Sequence, residues 1–254
     1  MNGVRKIRAT LFFLTVAVTT YGALGDVVNS YPAPAPNPRA AARGPDTLFV
    51  YCFSSGDNIW CLNPANGSVS GSFPSPCGVF TEGLSYSSEN NLWVGSWYND
   101  YVYRCNADDG SIISSWYAQH GFMGLAIEGY GDGGANAHAI FTSNVYPRGI
   151  WRHNLSNGSI LSSFSNLQPL VDICWDWRNK IIWGGYQSTI FGYRANGSFV
   201  ASFASPEDLP YGFAYFGEYL YVTTYRNNYL WQIHCPSFPG VEPFSAGRVK
   251  ALFR

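Results

Sequence analysis

Glu82 in "VFTEGLSY" and Asp172 in "LVDICWD" are the two side chains best placed for chemistry in this chain. Each breaks a pattern that recurs along the sequence. Arg39, Glu82, Met123, Val171 and Tyr211 occupy one recurring position, and Ala40, Gly83, Gly124, Asp172 and Gly212 occupy the next. A carboxylate pair of this kind can hold a divalent cation, with calcium the candidate for an all-oxygen site, or act as acid and base on a ligand contacted by Arg39 and Tyr211. The competing reading is structural: Arg39 pairs with Glu82, and Asp172 accepts backbone N–H groups. Trp97, Tyr98, Tyr186 and Tyr225 fall at strand ends, where flat rings can stack on a sugar or another planar ligand.

Other chemistry is poorly served. His120, His138, His153 and His234 fall at unrelated positions of the repeat, so no nucleophile–histidine–acid set follows from spacing. Six cysteines contain no paired zinc-ligand spacing; Cys52 and Cys61 lie on strands of one hairpin, where a local disulfide can form if the geometry allows. Phosphate-loop and dinucleotide-binding patterns are absent, since "GDGG" lacks the spacing and the following lysine or helix. Charged residues make up 12% of the chain and the net charge is −1, which excludes a nucleic-acid partner and electrostatic docking on anionic membranes. The expected partner is a small molecule, a glycan or a protein, bound by a monomer.

The elements that must position these residues repeat. "LNPANGSVSGSF", "CNADDGSIISSW", "HNLSNGSILSSF" and "YRANGSFVASF" each read as a turn followed by a short strand. Asn-Gly and Asp-Gly predict tight two-residue hairpins with positive φ at both central positions. Each turn follows a strand with an apolar–aromatic pair, such as Ile59-Trp60 or Ile150-Trp151. Upstream lies a further strand, such as "TLFVYCF" or "NLWVGSW", and in most copies an innermost strand that opens on a small residue, as in "GLSYS" or "GFAYF". Phe49, Trp93, Phe141, Trp183 and Tyr221 fall in register as core between the units. A four-stranded unit recurring every 40 to 48 residues predicts the blades of a β-propeller.

The two middle strands occur five times and the outer strand only four, because "YLWQIHCPSFPG" has no Gly-Ser strand after it. "DVVNSYPAPAP" at Asp26–Pro36 resembles "GSVSGSFPSP" and can supply the fifth outer strand. The prediction is an all-β, five-bladed propeller over residues 26–240, closed by its N-terminal outer strand. A six-bladed ring, an open solenoid and a pair of sandwiches are the alternatives. "EGYGDGGANAHA", Glu128 to Ala139, reads as a long hairpin loop in the third blade. Arg5, Lys6 and Arg8 before "ATLFFLTVAV", with small residues ending at Gly25, predict a signal peptide over residues 1–25 and a secreted, periplasmic or cell-envelope location. Residues 241–254 form a basic C-terminal tail. "NGS" at Asn66, Asn157 and Asn196 and "NLS" at Asn154 match the glycosylation pattern, largely because the turn itself asks for Asn-Gly.

"GLSYSSENNLWVGSWYNDYVYRCNADDGSIISSW" resembles the repeats of secreted bacterial propellers of the YVTN and NHL type, many of which are taken to bind ligands or partners. "VFTEGLSY" resembles the "FTQGL" segment of the glutamine cyclotransferase family, which is also a five-bladed propeller. That resemblance implies a catalytic Glu on the following strand, where this chain has Val94 and Gly95. "TEGLSY" is also similar to the "EGP" metal-ligand segment of gluconolactonase-like propellers, which implies Glu82 as a ligand. The reading that results is an exported, non-catalytic binding or scaffolding propeller. The alternatives are an enzyme using Glu82 and Asp172, and a lectin stacking sugars on its rim.

Overall fold

The computed structural model describes residues 22–54, 56–118, 121–129, 137–165 and 168–237. Residues 1–21, which make up most of the expected signal peptide over 1–25, His120, the centre of the Gly-rich insertion and the C-terminal tail lie outside the described residues.

Strand β1 (Val27–Pro32) precedes the first blade, which runs β2 (Pro38–Arg43), β3 (Leu48–Cys52), β4 (Asn58–Leu62) and β5 (Val69–Pro74). The second blade runs β6 (Thr81–Ser87), β7 (Asn91–Ser96), β8 (Tyr101–Asn106) and β9 (Ile112–Tyr117). The third runs β10 (Gly124–Ile127), β11 (Ala139–Asn144), β12 (Gly149–Asn154) and β13 (Ile160–Phe164), with the Gly-rich insertion joining its first two strands. The fourth runs β14 (Ile173–Asp176), β15 (Ile181–Tyr186), β16 (Thr189–Arg194) and β17 (Phe199–Ala204). The fifth runs β18 (Pro210–Phe216), β19 (Tyr219–Thr224) and β20 (Tyr229–His234), and β1 completes it. Five antiparallel four-stranded sheets result, as the repeat predicts, with a six-bladed ring and paired sandwiches overturned. The one helical element among the described residues is a 3-10 turn at Gly78–Phe80, and no helix there is long and apolar enough to cross a membrane.

Ring closure follows the predicted route. Tyr31 lies across from Leu230 and Pro32 across from Tyr229, so the start of the chain pairs with its last strand. Packed residues begin ahead of Asp26: Leu24 joins an apolar cluster with Phe213 and Ile233, and the Gly25 amide donates to the His234 carbonyl at 3.0 Å.

The turns differ from the tight hairpins expected. Positive φ is confined to Gly67, Gly110, Gly158 and Gly197, and the preceding Asn or Asp is not left-handed. Asn66, Asp109, Asn157 and Asn196 are there for their side chains, which accept the N–H of Ser68, Ser111, Ser159 and Ser198 at 2.9–3.1 Å. The loops are therefore longer than two residues and end in one left-handed glycine.

The same turns explain why the motif recurs. A Cβ built on Gly67 would lie 2.6 Å from Tyr31, on Gly110 2.4 Å from Phe73, on Gly158 2.3 Å from Trp116, and on Gly197 2.7 Å from Phe164. Gly25, the last residue of the expected signal peptide, makes the fifth such contact in the full chain, 2.9 Å from Phe203. In every blade the ring that ends the outer strand lies flush on the turn glycine of the next blade, where no side chain fits. Cys52 and Cys61 form no disulfide, because Cys61 faces Phe49 across the pair of strands while Cys52 faces Pro38.

Tyr31 is buried, and its hydroxyl donates to the Pro64 carbonyl at 3.1 Å. Tyr31→Ala is expected to cost about 3–5 kcal/mol, as other large aromatic truncations do. In a chain of this size that lowers the melting temperature by roughly 6–20 °C. Val28→Ala, at an exposed position of the same strand, is the control. A Tyr31→Ala melt within about 2 °C of wild type would show that β1 does not latch the ring.

Candidate functional site

Innermost strands converge on an axis with little room. A Cβ on Gly124 would meet the Asp172 Cα at 2.6 Å, and one on Gly212 would meet the Ala40 Cα at 2.8 Å. The cavity on the axis is only about 20 Å³, lined by residues of all five inner strands, among them Ala41, Leu84, Ile127, Cys174 and Phe213. Among the described residues, the inner strands leave little open space between them here.

Asp172 is the exception to small residues at this level, and its surroundings explain it. It is fully buried. One carboxylate oxygen accepts the Leu125 N–H at 3.2 Å, from the third blade, and the other accepts the Phe213 N–H at 2.8 Å, from the fifth. The side chain thus ties three consecutive blades together. Burial pushes its pKa well above the ordinary carboxylate range, against the pull of these N–H groups.

The mouth lies where the inner strands begin. There Pro38 faces Cys52, Thr81 faces Ser96, Gly124 faces Ser143 and Pro210 faces Thr224. The residues that follow the second strands, Phe53, Trp97, Tyr98, Tyr146 and Tyr225, therefore gather on the same face, and Tyr186 ends the second strand of the fourth blade there. Trp97 is 46% exposed, Tyr98 68% and Tyr146 80%. Phe80 stacks on Tyr98 at 4.4 Å and meets Trp97 edge-on at 6.0 Å. Tyr186 is half-buried.

Arg39 and Glu82 form an ion pair at the mouth, joining the first and second blades. Glu82 is 1% exposed. Burial pushes its pKa up to about 7, with Arg39 opposing the shift. Burial also works against the Arg39 charge, but Glu82, Tyr211 and Tyr225 outweigh it and hold the guanidinium above its usual value. The guanidinium carbon lies 4.1 Å from the Phe53 ring centre, 5.6 Å from Tyr211 and 5.7 Å from Tyr225. Tyr211 and Tyr225 are themselves in contact, with ring centres 5.6 Å apart. Burial, followed by the Glu82 charge, pushes the Tyr211 hydroxyl up to about 12.

Arg39, Glu82, Tyr211 and Tyr225 lie together at this mouth. Asp172 is engaged elsewhere, bound to backbone N–H groups. For a cation, both Asp172 oxygens are already occupied and one Glu82 oxygen is held by Arg39; no group of three metal-ligating side chains occurs among the described residues. Phe53, Phe80 and Tyr146 complete the face and are absent from the sequence-based set. Phe53 and Tyr146 follow second strands just as Trp97 does, so register could have found them. The clefts of about 500 and 480 Å³ lie on the opposite face, between the second and third blades beside Trp93 and Arg104, and between the first and second beside Phe49 and Tyr86.

The architecture is that of a five-bladed β-propeller with a crowded axis and an aromatic mouth. No protein-family model matches the chain, and no curated protein matches it in sequence. Among solved structures, the chain is similar to the glutaminyl cyclase of Myxococcus xanthus. The TM-score is 0.66 at 13% identity, over 83% of this chain and 95% of that one. A likeness to a chain of a mitotic checkpoint complex has a TM-score of 0.49 at 12% identity, over 77% of this chain and 60% of that one. At these identities the likeness to the cyclase is one of fold.

Raised carboxyl pKa values have a consequence for stability. Glu82 binds its proton more tightly in the folded chain than in the unfolded one, where its pKa is about 4.3. Its protonation stabilises the fold fully below that value, and the stabilisation is lost as pH rises through about 7. Asp172 acts in the same direction. Denaturant melts are expected to show a more stable protein at pH 5 than at pH 8. Glu82→Gln is expected to remove about 2–3 kcal/mol of that difference. An unchanged pH slope in Glu82→Gln would refute the assignment.

Proposed function

We propose that this chain is an exported five-bladed propeller that binds its ligand on the mouth face and carries out no reaction on it. The observation that carries the reading is the exposure of Trp97, Tyr98 and Tyr146 together on that rim. Large exposed rings set around a polar centre are what a recognition surface needs, since each offers a flat apolar face. The Arg39–Glu82 pair and the N–H-bound Asp172 support a structural use of the acids. Export is supported by the basic and apolar N-terminal segment, and a binding role by the resemblance to YVTN- and NHL-type repeats. The ligand is a glycan, a small planar molecule or a protein segment able to stack on the rim.

A glycan array and an immobilised peptide library test this. Wild-type protein is expected to select a ligand. Trp97→Ala and Tyr146→Ala are each expected to weaken that selection by about 3- to 10-fold, with circular dichroism and melting temperature unchanged. Binding at full strength after loss of both rings would place recognition elsewhere.

A second reading is favoured by one observation. A buried carboxyl near pH 7 at the mouth is suited to moving protons, and the chain shares its fold with a glutaminyl cyclase. In that reaction the N-terminal amine attacks the side-chain amide carbon, and ammonia leaves carrying the transferred proton. The leading reading expects no ammonia release from N-terminal glutaminyl peptides above the uncatalysed rate. Release that is abolished in Glu82→Gln would replace it with the catalytic one.

A further inference from the structure

The grouping around Arg39 is a cation cage built by three blades. Phe53 comes from the first blade, Tyr211 and Tyr225 from the fifth, and the carboxylate of Glu82 from the second. Ring faces and a carboxylate all attract positive charge, so the cage selects a cation and disfavours an anion. Its present occupant is a side chain of the protein itself, held by the rings and by one carboxylate oxygen. Arg39 reaches only one oxygen of Glu82. The other oxygen is buried and has no hydrogen-bond partner among the described residues. The same holds for the Arg39 Nε and for the buried Tyr51 hydroxyl, which is close enough to Glu82 and Arg39 to feel both charges. Arginine and a carboxylate can meet through two parallel N–H···O bonds, the stronger arrangement, and leaving a buried carboxylate oxygen unbonded is costly.

We propose that the cage is a binding site for a guanidinium group on the ligand, an arginine side chain, and that Arg39 is its displaceable plug. This rests on the mouth-face reading above and names the chemistry it recognises. The Arg39 side chain is 16% exposed, so its outer edge already meets solvent and it can swing toward the rim without crossing the core. An incoming guanidinium takes its place between Phe53 and the two tyrosines and pairs with Glu82 in place of Arg39. The planar shape matters: a guanidinium stacks on Phe53 and presents a fork, whereas an ammonium does neither.

The test uses Nα-acetyl-arginine N-methylamide, titrated into the full chain by calorimetry. Weak binding to wild type is expected, because Arg39 must first leave. Arg39→Ala is expected to bind at least 10-fold more tightly, and Arg39→Ala/Glu82→Gln to lose that gain. The lysine analogue is expected to bind at least 3-fold less tightly than the arginine probe. A folded Arg39→Ala that binds the arginine probe no better than wild type overturns the proposal. So does binding of Nα-acetyl-glutamate to wild type that disappears in Arg39→Ala, since Arg39 would then be the recognition group for an anion. Should Arg39→Ala fail to fold, Arg39→Lys keeps the charge without the fork and is expected to bind the arginine probe more tightly than wild type; equal or weaker binding overturns the proposal. Trp97→Ala runs in parallel on the ligands selected by the arrays. Failure of the arginine probe with rim-dependent binding intact removes this inference alone, and the reverse pattern removes the mouth-face reading alone.

Discussion

Five inner strands meet at an axis with almost no room for side chains, and much else follows from that crowding. Glycine is required at positions 124 and 212, because a Cβ there would strike the backbone of the next blade. Asp172 survives there because its oxygens answer two N–H groups that would otherwise point into the crowded centre. The small axial cavity leaves the two faces as the open surfaces of the ring, and the mouth face carries the aromatic rim.

At that mouth, one ion pair links the architecture to the chemistry. Arg39 and Glu82 join the first blade to the second while rings from the first and fifth blades enclose the guanidinium. Burial and charge oppose each other in this group: removal from water favours a neutral Glu82, and Arg39 favours an ionised one. The balance leaves a carboxyl that changes state near neutral pH, where a fully exposed acid or a fully paired one would not.

The ring was legible because the repeat is long and its parts keep their order. Counting middle and outer strands exposed the missing fifth outer strand, and the likeness of "DVVNSYPAPAP" to "GSVSGSFPSP" showed where to find it. The turn geometry was less legible. Asn-Gly suggests left-handed backbone at both residues, whereas here the asparagine works through its side chain, a difference that local sequence does not carry. Grouping Arg39, Glu82 and Tyr211 needed only alignment of the repeats. The burial of Glu82 and the placing of Phe53 over Arg39 needed the packing of three blades, which no stretch of sequence encodes on its own.

The contact between an outer-strand ring and the next blade's turn glycine occurs at all five junctions, including the one where the chain begins and ends. Tyr31 on Gly67 and Phe203 on Gly25 do at the seam what Phe73 on Gly110 does within continuous chain. The wheel is therefore held by one joint used five times over, and the two joints made by the N-terminal segment are of the same kind as the three between blades that follow one another in the chain.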